Sequence, residues 1–407
     1  MNCRFCKNEL HQTFLDLGFA PPSNSYLNAK DLSRPEQYYP LRVMVCESCW
    51  LVQTQDFANA DEFFNASYAY FSSTSASWLD HAKRYCADIT TRLGLGPQSF
   101  VIEVASNDGY LLRNFVTAGV PCLGIEPTAS TAAAAEALGV PTQRDFFGEA
   151  LGNQLVSEGR KADLIIGNNV FAHVPDINDF TKGLATVLKE NAVVTLEFPH
   201  LLNLIRLCQF DTVYHEHFSY LSLAVVQRIF AKAGLRIFDV EELSTHGGSL
   251  RIYGCLTGAR HHQMPSVEKI IQQEREVGLE SIDIFCGFQA KANAVKDALL
   301  SFLIDAKRKG QKVVGYGAAA KGNSLLNFAG VKPDLLPFIC DAAPSKQNKF
   351  MPGSHISILA PDALITADAD FVLILPWNIA KEVMEKTKPL LPTKTRYVVA
   401  VPELMVL

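Results

Sequence analysis

The stretch SFVIEVASNDG at residues 99–109 decides the fold. Its apolar half has the length of a buried strand, and Gly109 permits the tight turn that leads from a strand into a helix. The N-terminus of that helix offers free N–H groups, and Glu103 or Asp108 can accept a hydrogen bond from the amino group of a zwitterionic ligand. The stretch therefore predicts the first strand–turn–helix unit of a nucleotide-type α/β domain.

The same alternation continues downstream. Amphipathic helical segments separate four more apolar strand cores, and this pattern predicts a parallel sheet covered on both faces. Two further runs flank the turn His246-Gly247-Gly248 and predict an antiparallel pair at the edge. The four strand cores are CLGIEPT at 122–128, TQRDFF at 142–147, ADLIIGNNV at 162–170 and AVVTLEFP at 192–199, and the edge pair is LRIFDVEEL at 235–243 and SLRIYGCLTG at 249–258.

Glu126 stands at the end of the second strand. A carboxylate at this position can accept hydrogen bonds from both hydroxyls of a ribose. An NAD site competes with other nucleotide-type ligands here, but the first loop lacks the GxGxxG pattern, and its acidic residue Glu103 precedes the turn. A packed strand-to-helix turn without a ligand is the structural alternative.

The sequence KVVGYGAAAKGNSLLN at residues 312–327 begins a second alternating unit. Its glycines let the backbone approach a phosphate, and Lys321 adds a full charge at a helix N-terminus, so a diphosphate fits this loop. Asp341 ends the next strand, which would also suit NAD. A long helical pattern at 266–310 precedes this unit and connects or clasps the domains.

Four of the ten cysteines form two CxxC turns, Cys3/Cys6 and Cys46/Cys49. Two such turns can complete a tetrahedral sulfur site for zinc, and a site with four protein ligands is closed and structural. Chance core placement or a redox dithiol are the alternatives. The remaining cysteines are single and are expected to be buried as small hydrophobic residues.

The chain has 407 residues, 48% hydrophobic and 19% charged, with a formal net charge of -5. This length predicts several domains, which we place at residues 1–60, 61–265 and 266–407. The charge offers no basic field for nucleic acid, so we expect no such partner. No apolar run reaches the roughly 18 residues of a membrane span. Without a secretory pattern at residues 1–10, we expect a cytoplasmic protein with no membrane partner. The sequence does not indicate its oligomeric state.

Several motifs in this order resemble class I S-adenosylmethionine-dependent methyltransferases, and more narrowly the nucleotide-sugar 3-C-methyltransferases of deoxysugar pathways. The likeness covers nearly the whole chain, although Ala105 and Asn107 stand where glycines are common. It implies an α/β protein: a doubly wound class I sheet, a small N-terminal zinc-binding domain and a C-terminal Rossmann-like domain. The residues that carry it are the four cysteines, Tyr68-Ala69-Tyr70-Phe71-Ser72-Ser73, 103–112, Glu126-Pro127, 167–173 and Gly315-Tyr316-Gly317.

The resemblance implies S-adenosylmethionine as methyl donor, structural Zn²⁺ and a nucleotide-diphosphate keto-deoxysugar as substrate. Donor contacts are expected from Glu103, Ala105, Asn107, Asp108, Gly109, Tyr110, Leu111, Glu126, Pro127, Asn168 and Asn169. Substrate contacts are expected from Tyr316, Lys321, Asn323 and Asp341. The active site is expected to contain Tyr68, His173, Tyr214, Glu216 and His217.

Carbon methylation gives the cluster Tyr214-His215-Glu216-His217 a role. A carbon beside a ketone becomes nucleophilic only after its α-proton is removed, so the enzyme needs a base and donors for the enolate oxygen. We predict His217 as the base, Tyr214 as an enolate donor, and Glu216 as a residue that orients the imidazole or binds sugar hydroxyls. The alternatives are a metal site and histidines that cap a helix or satisfy buried backbone groups.

The sequence thus predicts a C-methyltransferase acting beside the keto group, at C3, of a nucleotide-linked 4-keto-deoxysugar. An O-methyltransferase on a sugar or small molecule is the second hypothesis. A zinc-tethered nucleotide-binding scaffold without turnover is the third.

Overall fold

The computed structural model describes residues 1–57, 71–74 and 76–407. The predicted active-site residue Tyr68 lies outside the described residues. Among the described helices, none is both long and apolar enough to cross a bilayer.

The N-terminal segment forms an antiparallel sheet around the four cysteines. Strands β1 (Gln12–Ala20) and β2 (Tyr39–Val45) pair along their length, and β3 (Val52–Thr54) continues the sheet. Because the two CxxC turns sit just before β1 and between β2 and β3, the sheet brings both turns to one end.

The middle segment forms a seven-stranded sheet. Its elements are α1 (Ala76–Leu93), β4 (Val101–Val104), α2 (Leu112–Thr117), β5 (Cys122–Ile125), α3 (Ala129–Ala137), β6 (Thr142–Gln143), α4 (Glu149–Ser157), β7 (Ala162–Asn168), α5 (Ile177–Val187), β8 (Leu188–Pro199), α6 (Leu201–Arg206), β9 (Ser219–Tyr220), α7 (Leu223–Lys232), β10 (Leu235–Leu243) and β11 (Ser249–Leu256). The strand order is β10-β11-β8-β7-β4-β5-β6. Strands β8 to β6 are mutually parallel, and β11 runs antiparallel to both β8 and β10.

The doubly wound sheet predicted for this segment is confirmed, as is the antiparallel pair after it. Strand β4 is buried along its whole length because helices cover both faces of a parallel sheet. Strand β4 lies between β5 and β7. The strand order therefore runs outward from β4 in one direction through β5 and β6, and in the other through β7 and β8. In such sheets, ligands bind beside the carboxyl ends of the strands at this switch point. Strand β9 lies in the middle segment but does not belong to this sheet, because it pairs with β3 of the N-terminal sheet.

The C-terminal segment contains a second doubly wound sheet. Its elements are α8 (Pro265–Val277), α9 (Phe288–Arg308), β12 (Val313–Tyr316), α10 (Ala320–Ala329), β13 (Phe338–Cys340), β14 (Ser357–Leu359), α11 (Ala363–Thr366), β15 (Phe371–Ile374), α12 (Ala380–Thr387), β16 (Arg396–Val399) and β17 (Met405–Val406). The order β14-β13-β12-β15-β16-β17, parallel except for β17, confirms the Rossmann-like prediction.

The helical pattern at 266–310 forms two helices, α8 and α9. Gly278 ends α8 in the left-handed conformation, with a φ of 86° that glycine adopts without strain. The second helix then packs on the N-terminal sheet, where the rings of Phe14 and Phe288 stack 4.6 Å apart. The backbone N–H of Asp16 also donates to Gln289 Oε1 at 2.7 Å. The predicted clasp between domains is therefore made by α9.

The three segments share buried contacts. One hydrophobic core contains Leu41 of the N-terminal sheet, Phe210 of the middle segment and Leu299 and Leu325 of the C-terminal segment. Because this core joins residues from all three segments, the domain boundaries near residues 60 and 265 stay predictions. Five of the six single cysteines are buried, as predicted, but the prediction is wrong for Cys286, which is exposed in the turn before α9.

Candidate active site and zinc centre

The loop after β4 has the conformation that a glycine-rich loop would adopt. Ala105, Asn107 and Gly109 have φ angles of 56°, 51° and 75°. Gly109 is further restricted because a Cβ there would lie 3.1 Å from Cα and Cβ of Ala135 and from Cγ2 of Val140. Ala105 and Asn107 stand where glycines are common in the family that the chain resembles, and both adopt the left-handed conformation that glycine favours.

Three carboxylates converge beneath this loop. Glu103 is 1% exposed, and its pKa is raised well above its usual range by burial and by the nearby charges of Asp108 and Glu126. Glu103 Oε2 and Asp108 Oδ1 have no hydrogen-bond partner in the described part of the chain. Glu126 accepts the N–H groups of Asn107 and Thr128, each at 2.9 Å, and its oxygens keep further lone pairs for a ribose.

Buried carboxylate oxygens without partners require a ligand that supplies donors or positive charge. S-adenosylmethionine carries an ammonium group, a sulfonium and two ribose hydroxyls, so the residues present fit it. At the end of β7, both side-chain amide atoms of Asn168 also lack partners among the described residues. Tyr110 and Leu111, which follow the loop after β4, are buried, and Pro127 is half-buried. Together these side chains surround the predicted position of the methyl donor.

The aromatic segment before α1 is tied to the same loop. The N–H groups of Ser72 and Ser73 donate to Asn107 Oδ1 and Asp108 Oδ2, each at 3.0 Å. Ser72 and Ser73 therefore lie against the loop after β4.

The predicted catalytic histidines meet at the carboxyl ends of the middle strands. The ring of His217 lies 4.6 Å from that of His173 and 3.9 Å from that of Tyr214, measured between centroids. His217 Nδ1 is 2.8 Å from the carbonyl oxygen of Thr212. Since a carbonyl only accepts, the proton resides on Nδ1, and the neutral ring has its lone pair on Nε2.

Burial keeps both rings neutral. It lowers the pKa of His217 well below its usual range, and the positive forms of His173, His246 and Lys321 lower it further. Burial also lowers the pKa of His173 to about 4. Glu216, which is 2% exposed, behaves oppositely: burial raises its pKa to about 7, while hydrogen bonds from Asn24 oppose the shift.

The C-terminal segment directs Lys321 toward this cluster. Its Nζ lies 2.7 Å from Asn378 Oδ1 and 4.8 Å from the ring centre of Trp377. Burial lowers the pKa of Lys321, and Asp211 opposes that shift. This ammonium group lies beside a neutral amide and an aromatic ring, so it can receive an anionic ligand.

The other predicted substrate residues differ in their surroundings. Asn323 is fully buried, and its amide atoms have no partner in the described chain. Tyr316 is buried at the end of β12. The carboxylate of Asp341 already accepts the N–H groups of Ala318 at 2.7 Å and Ala343 at 2.8 Å, so it stabilises the loop after β12.

The four N-terminal cysteines form a metal-ready cluster. All four Sγ atoms lie within 4.8 Å of one another, and the pairs Cys3/Cys49 and Cys6/Cys46 are 3.6 and 3.5 Å apart. Sulfurs about 2.3 Å from a tetrahedral zinc are separated by about 3.8 Å, whereas a disulfide needs about 2 Å. The cluster fits Zn²⁺. It is the only such group within the described residues, so no cluster of three metal ligands found there supports the metal interpretation of residues 214–217.

Comparisons with known proteins agree with this architecture. Domain-family models match a zinc binding domain at residues 3–64, a methyltransferase domain at 78–240 and a C-methyltransferase C-terminal domain at 244–402. The C-methyltransferase NovU of Streptomyces niveus is 31% identical over 401 residues, which are 98% of this chain and 95% of NovU. The chain belongs to the C-methyltransferase family.

Among solved structures, a methyltransferase from Clostridium acetobutylicum that depends on S-adenosylmethionine is 11% identical, with a TM-score of 0.35. It matches over 44% of this C-methyltransferase and 92% of its own chain. A possible histamine N-methyltransferase from Thermotoga maritima is 16% identical, with the same TM-score of 0.35, over 46% and 97% of the two chains.

The sequence interpretation missed two residues at the site of this C-methyltransferase. His246 was assigned only to a turn, yet its Nε2 lies 3.2 Å from Asn169 Nδ2 and its ring contacts Trp78. Its position beside a strand end and two glycines was the available signal. Asn24 contacts Glu216 from 192 positions away, and no local pattern indicated that contact.

Proposed function

We propose that this S-adenosylmethionine-dependent C-methyltransferase methylates the carbon beside the keto group, C3, of a nucleotide-linked 4-keto-deoxysugar. The bound donor supplies an electrophilic methyl group on a sulfonium. The protein must therefore hold the two reactants in line and make the sugar carbon nucleophilic.

The state of His217 carries the proposal. Its ring is neutral, buried and oriented by Thr212, so the lone pair is on Nε2. In our proposal, Nε2 takes the α-proton of the sugar, and the electron pair of the broken C–H bond forms the enolate. The enolate carbon then forms the new bond to the methyl group as the methyl–sulfur bond breaks, and the electron pair of that bond stays on sulfur.

The low pKa of the resting imidazole is compatible with this role. An imidazolium formed beside an enolate is stabilised by Coulomb attraction, so the pKa of His217 rises as charge develops in the substrate. After product release, burial again disfavours the charge, so the imidazolium loses its proton to water and the ring returns to its neutral resting state.

The neighbouring groups receive complementary roles. Tyr214 donates to the enolate oxygen, and His173 packs against the base. Because Thr212 orients His217, Glu216 is left to bind sugar hydroxyls. Lys321 is the cation for the anionic part of the nucleotide sugar, which we place between the middle and C-terminal segments.

Contacts across that crevice support this docking. A Cβ added to Gly247 would lie 2.5 Å from Cη2 of Trp377, so the β10–β11 turn touches the C-terminal segment. The indole Nε1 of Trp377 donates to Asp211 Oδ2 at 2.7 Å. Lys321 lies over the Trp377 ring and is near enough to His217 for its charge to lower the pKa of that histidine.

The family assignment favours carbon methylation over oxygen methylation and over a scaffold without turnover. The test is mass measurement after incubation with labelled donor and a panel of 4-keto-sugar nucleotides, with NMR to locate the label. We expect one methyl group at C3. We also expect deuterium incorporation at that carbon without donor, because the base removes the α-proton before methyl transfer. An O-methyltransferase has no reason to catalyse this exchange. A label on oxygen, or no methylation across the panel, would refute the proposal.

A further inference from the structure

The loop that contains the proposed base is held by the N-terminal segment. His215 Nε2 donates to the carbonyl of Pro40 at 3.3 Å, and Thr54 Oγ1 donates to the carbonyl of His217. The N–H of Thr54 donates to the carbonyl of Phe218 at 3.1 Å. Each of these residues in the loop 214–218 is therefore fixed by the zinc-bearing sheet, which also pairs with β9 just beyond it.

Asn24 makes the contact that reaches a functional side chain. Its Nδ2 lies 2.9 Å from both Oε1 and Oε2 of Glu216. Because an ionised carboxylate only accepts hydrogen bonds, the amide presents its nitrogen and not its oxygen to Glu216. One amide group thus sets both the position and the plane of the Glu216 carboxylate.

The segment around Asn24 is anchored on the opposite side by the C-terminal domain. The hydroxyl of Tyr26 donates to the carbonyl of Ala318 at 2.6 Å. Leu27 and Phe350 exchange backbone hydrogen bonds of 3.0 and 2.8 Å. Asn24 is consequently held between the two α/β segments, at the crevice assigned to the sugar.

We propose that the zinc module is a functional part of the active site and that Asn24 is a positioning residue that holds Glu216 ionised and oriented for the sugar substrate. This inference rests on the proposed function, because it assigns Glu216 to the sugar hydroxyls. Zinc acts on the reaction only through the folded position of Asn24 and of the strand that carries Thr54.

The charges around Glu216 are consistent with this role. Tyr26 faces it from the zinc module, and Lys346 of the C-terminal segment lies behind, 5.4 Å from the Tyr26 ring centre and 3.8 Å from Asp341. From the middle segment, His215 and His217 flank it in its own loop, and His173 packs on His217. In the described chain, Asn24 supplies the hydrogen bonds to the carboxylate. Loss of this donor therefore raises the pKa of Glu216 above its value of about 7.

The test compares Asn24→Ala and Asn24→Asp with Glu216→Gln and with the double variant Asn24→Asp/Glu216→Gln. Asn28→Ala is the matched control, since Asn28 lies in the same segment but hydrogen bonds to exposed Asp31. The readouts are the pH profiles of kcat and kcat/KM, zinc content and thermal unfolding, all on the full chain with a substrate that the wild type methylates.

We expect each Asn24 variant to lose at least about tenfold in kcat/KM at pH 7, with zinc content unchanged and at most a small fall in Tm from the lost hydrogen bonds to Glu216. The acid limb of the profile moves to higher pH, with activity partly restored above pH 8. The double variant is no worse than Glu216→Gln alone, because the two residues act through one contact. Asn28→Ala resembles wild type.

Wild-type profiles in both Asn24 variants would overturn the inference. An equal loss at every pH, or additive losses in the double variant, would do the same by showing a merely structural role. If the wild type methylates a substrate other than a keto-sugar nucleotide, the proposed function fails on its own. The cycle is then performed with that substrate and still decides the role of Asn24.

Discussion

Replacing His217 by Asn tests the proposed chemistry directly. The hydrogen bond from Nδ1 to the Thr212 carbonyl is 2.8 Å long, and an asparagine amide can donate to the same oxygen. The variant therefore keeps the orienting contact and removes the Nε2 lone pair. The change isolates the base from the packing around it.

The expected loss follows from what Nε2 does. A positioned general base contributes about 10²- to 10⁴-fold to a rate. At about 1.36 kcal/mol per tenfold, this is about 2.7 to 5.4 kcal/mol of barrier. His217→Ala should lose the same activity and should also lower the free energy of unfolding by about 1–3 kcal/mol, because it leaves the buried Thr212 carbonyl without its donor.

The assay is deuterium exchange at the sugar α-carbon in D₂O without methyl donor, followed by NMR. Donor affinity, measured by calorimetry, should be unchanged, since the carboxylates that surround the donor lie at the ends of β4 and β5. An exchange rate of His217→Asn within about threefold of wild type would refute the assignment of the base, because a general base is expected to contribute at least about 10²-fold.

Three further perturbations address the donor site, the zinc centre and the fold. Glu103→Gln should abolish a proton release that accompanies donor binding near neutral pH, because burial raises the pKa of Glu103 well above its usual range whereas a cationic donor beside it favours the carboxylate. The donor affinity of the wild type should therefore rise with pH. Calorimetry at several pH values, in two buffers of different ionisation enthalpy, measures the affinity and the proton release. Equal proton release by wild type and Glu103→Gln would contradict this role of Glu103. Cys3→Ser/Cys6→Ser should lose stoichiometric zinc and lower Tm, as measured by metal analysis and calorimetry, whereas Cys286→Ser, at an exposed thiol, should change neither. Gly109→Ala and Gly139→Ala share a left-handed φ penalty of about 1–2 kcal/mol. Only the former meets atoms at 3.1 Å, so urea unfolding should show a further loss of about 1–3 kcal/mol, and equal losses would show that packing is not limiting.

Much of the fold could be predicted from local patterns. The buried strands β4 and β7 are short apolar runs with turn residues after them, and their spacing indicates a parallel sheet whatever the remaining contacts. The four cysteines needed only their two CxxC turns, because zinc accepts ligands in that arrangement across many backbones. The helical pattern predicted over 266–310 is interrupted in the structure. Gly278 adopts a left-handed conformation and ends α8, although the apolar periodicity continues beyond it.

The candidate site was only partly predictable. The sequence placed Glu103, Asp108 and Glu126 at strand ends, and parallel strands bring such ends to one edge. The contact between Asn24 and Glu216 could not be predicted, because a long-range hydrogen bond leaves no periodic signal in either segment. The same holds for the position of Lys321 relative to His217, which depends on how two sheets pack.

By itself, the sequence determined the two doubly wound sheets, the zinc ligands and the methyltransferase character of this protein, since each depends on residues close together in the chain. Only the tertiary structure decided that Thr212 sets the tautomer of His217 and that the N-terminal sheet holds the loop around it. It also decided that Asp341 supports the loop after β12 while Lys321 lies near His217. These properties arise from burial and from hydrogen bonds between distant segments, and such interactions exist only once the three segments have packed together.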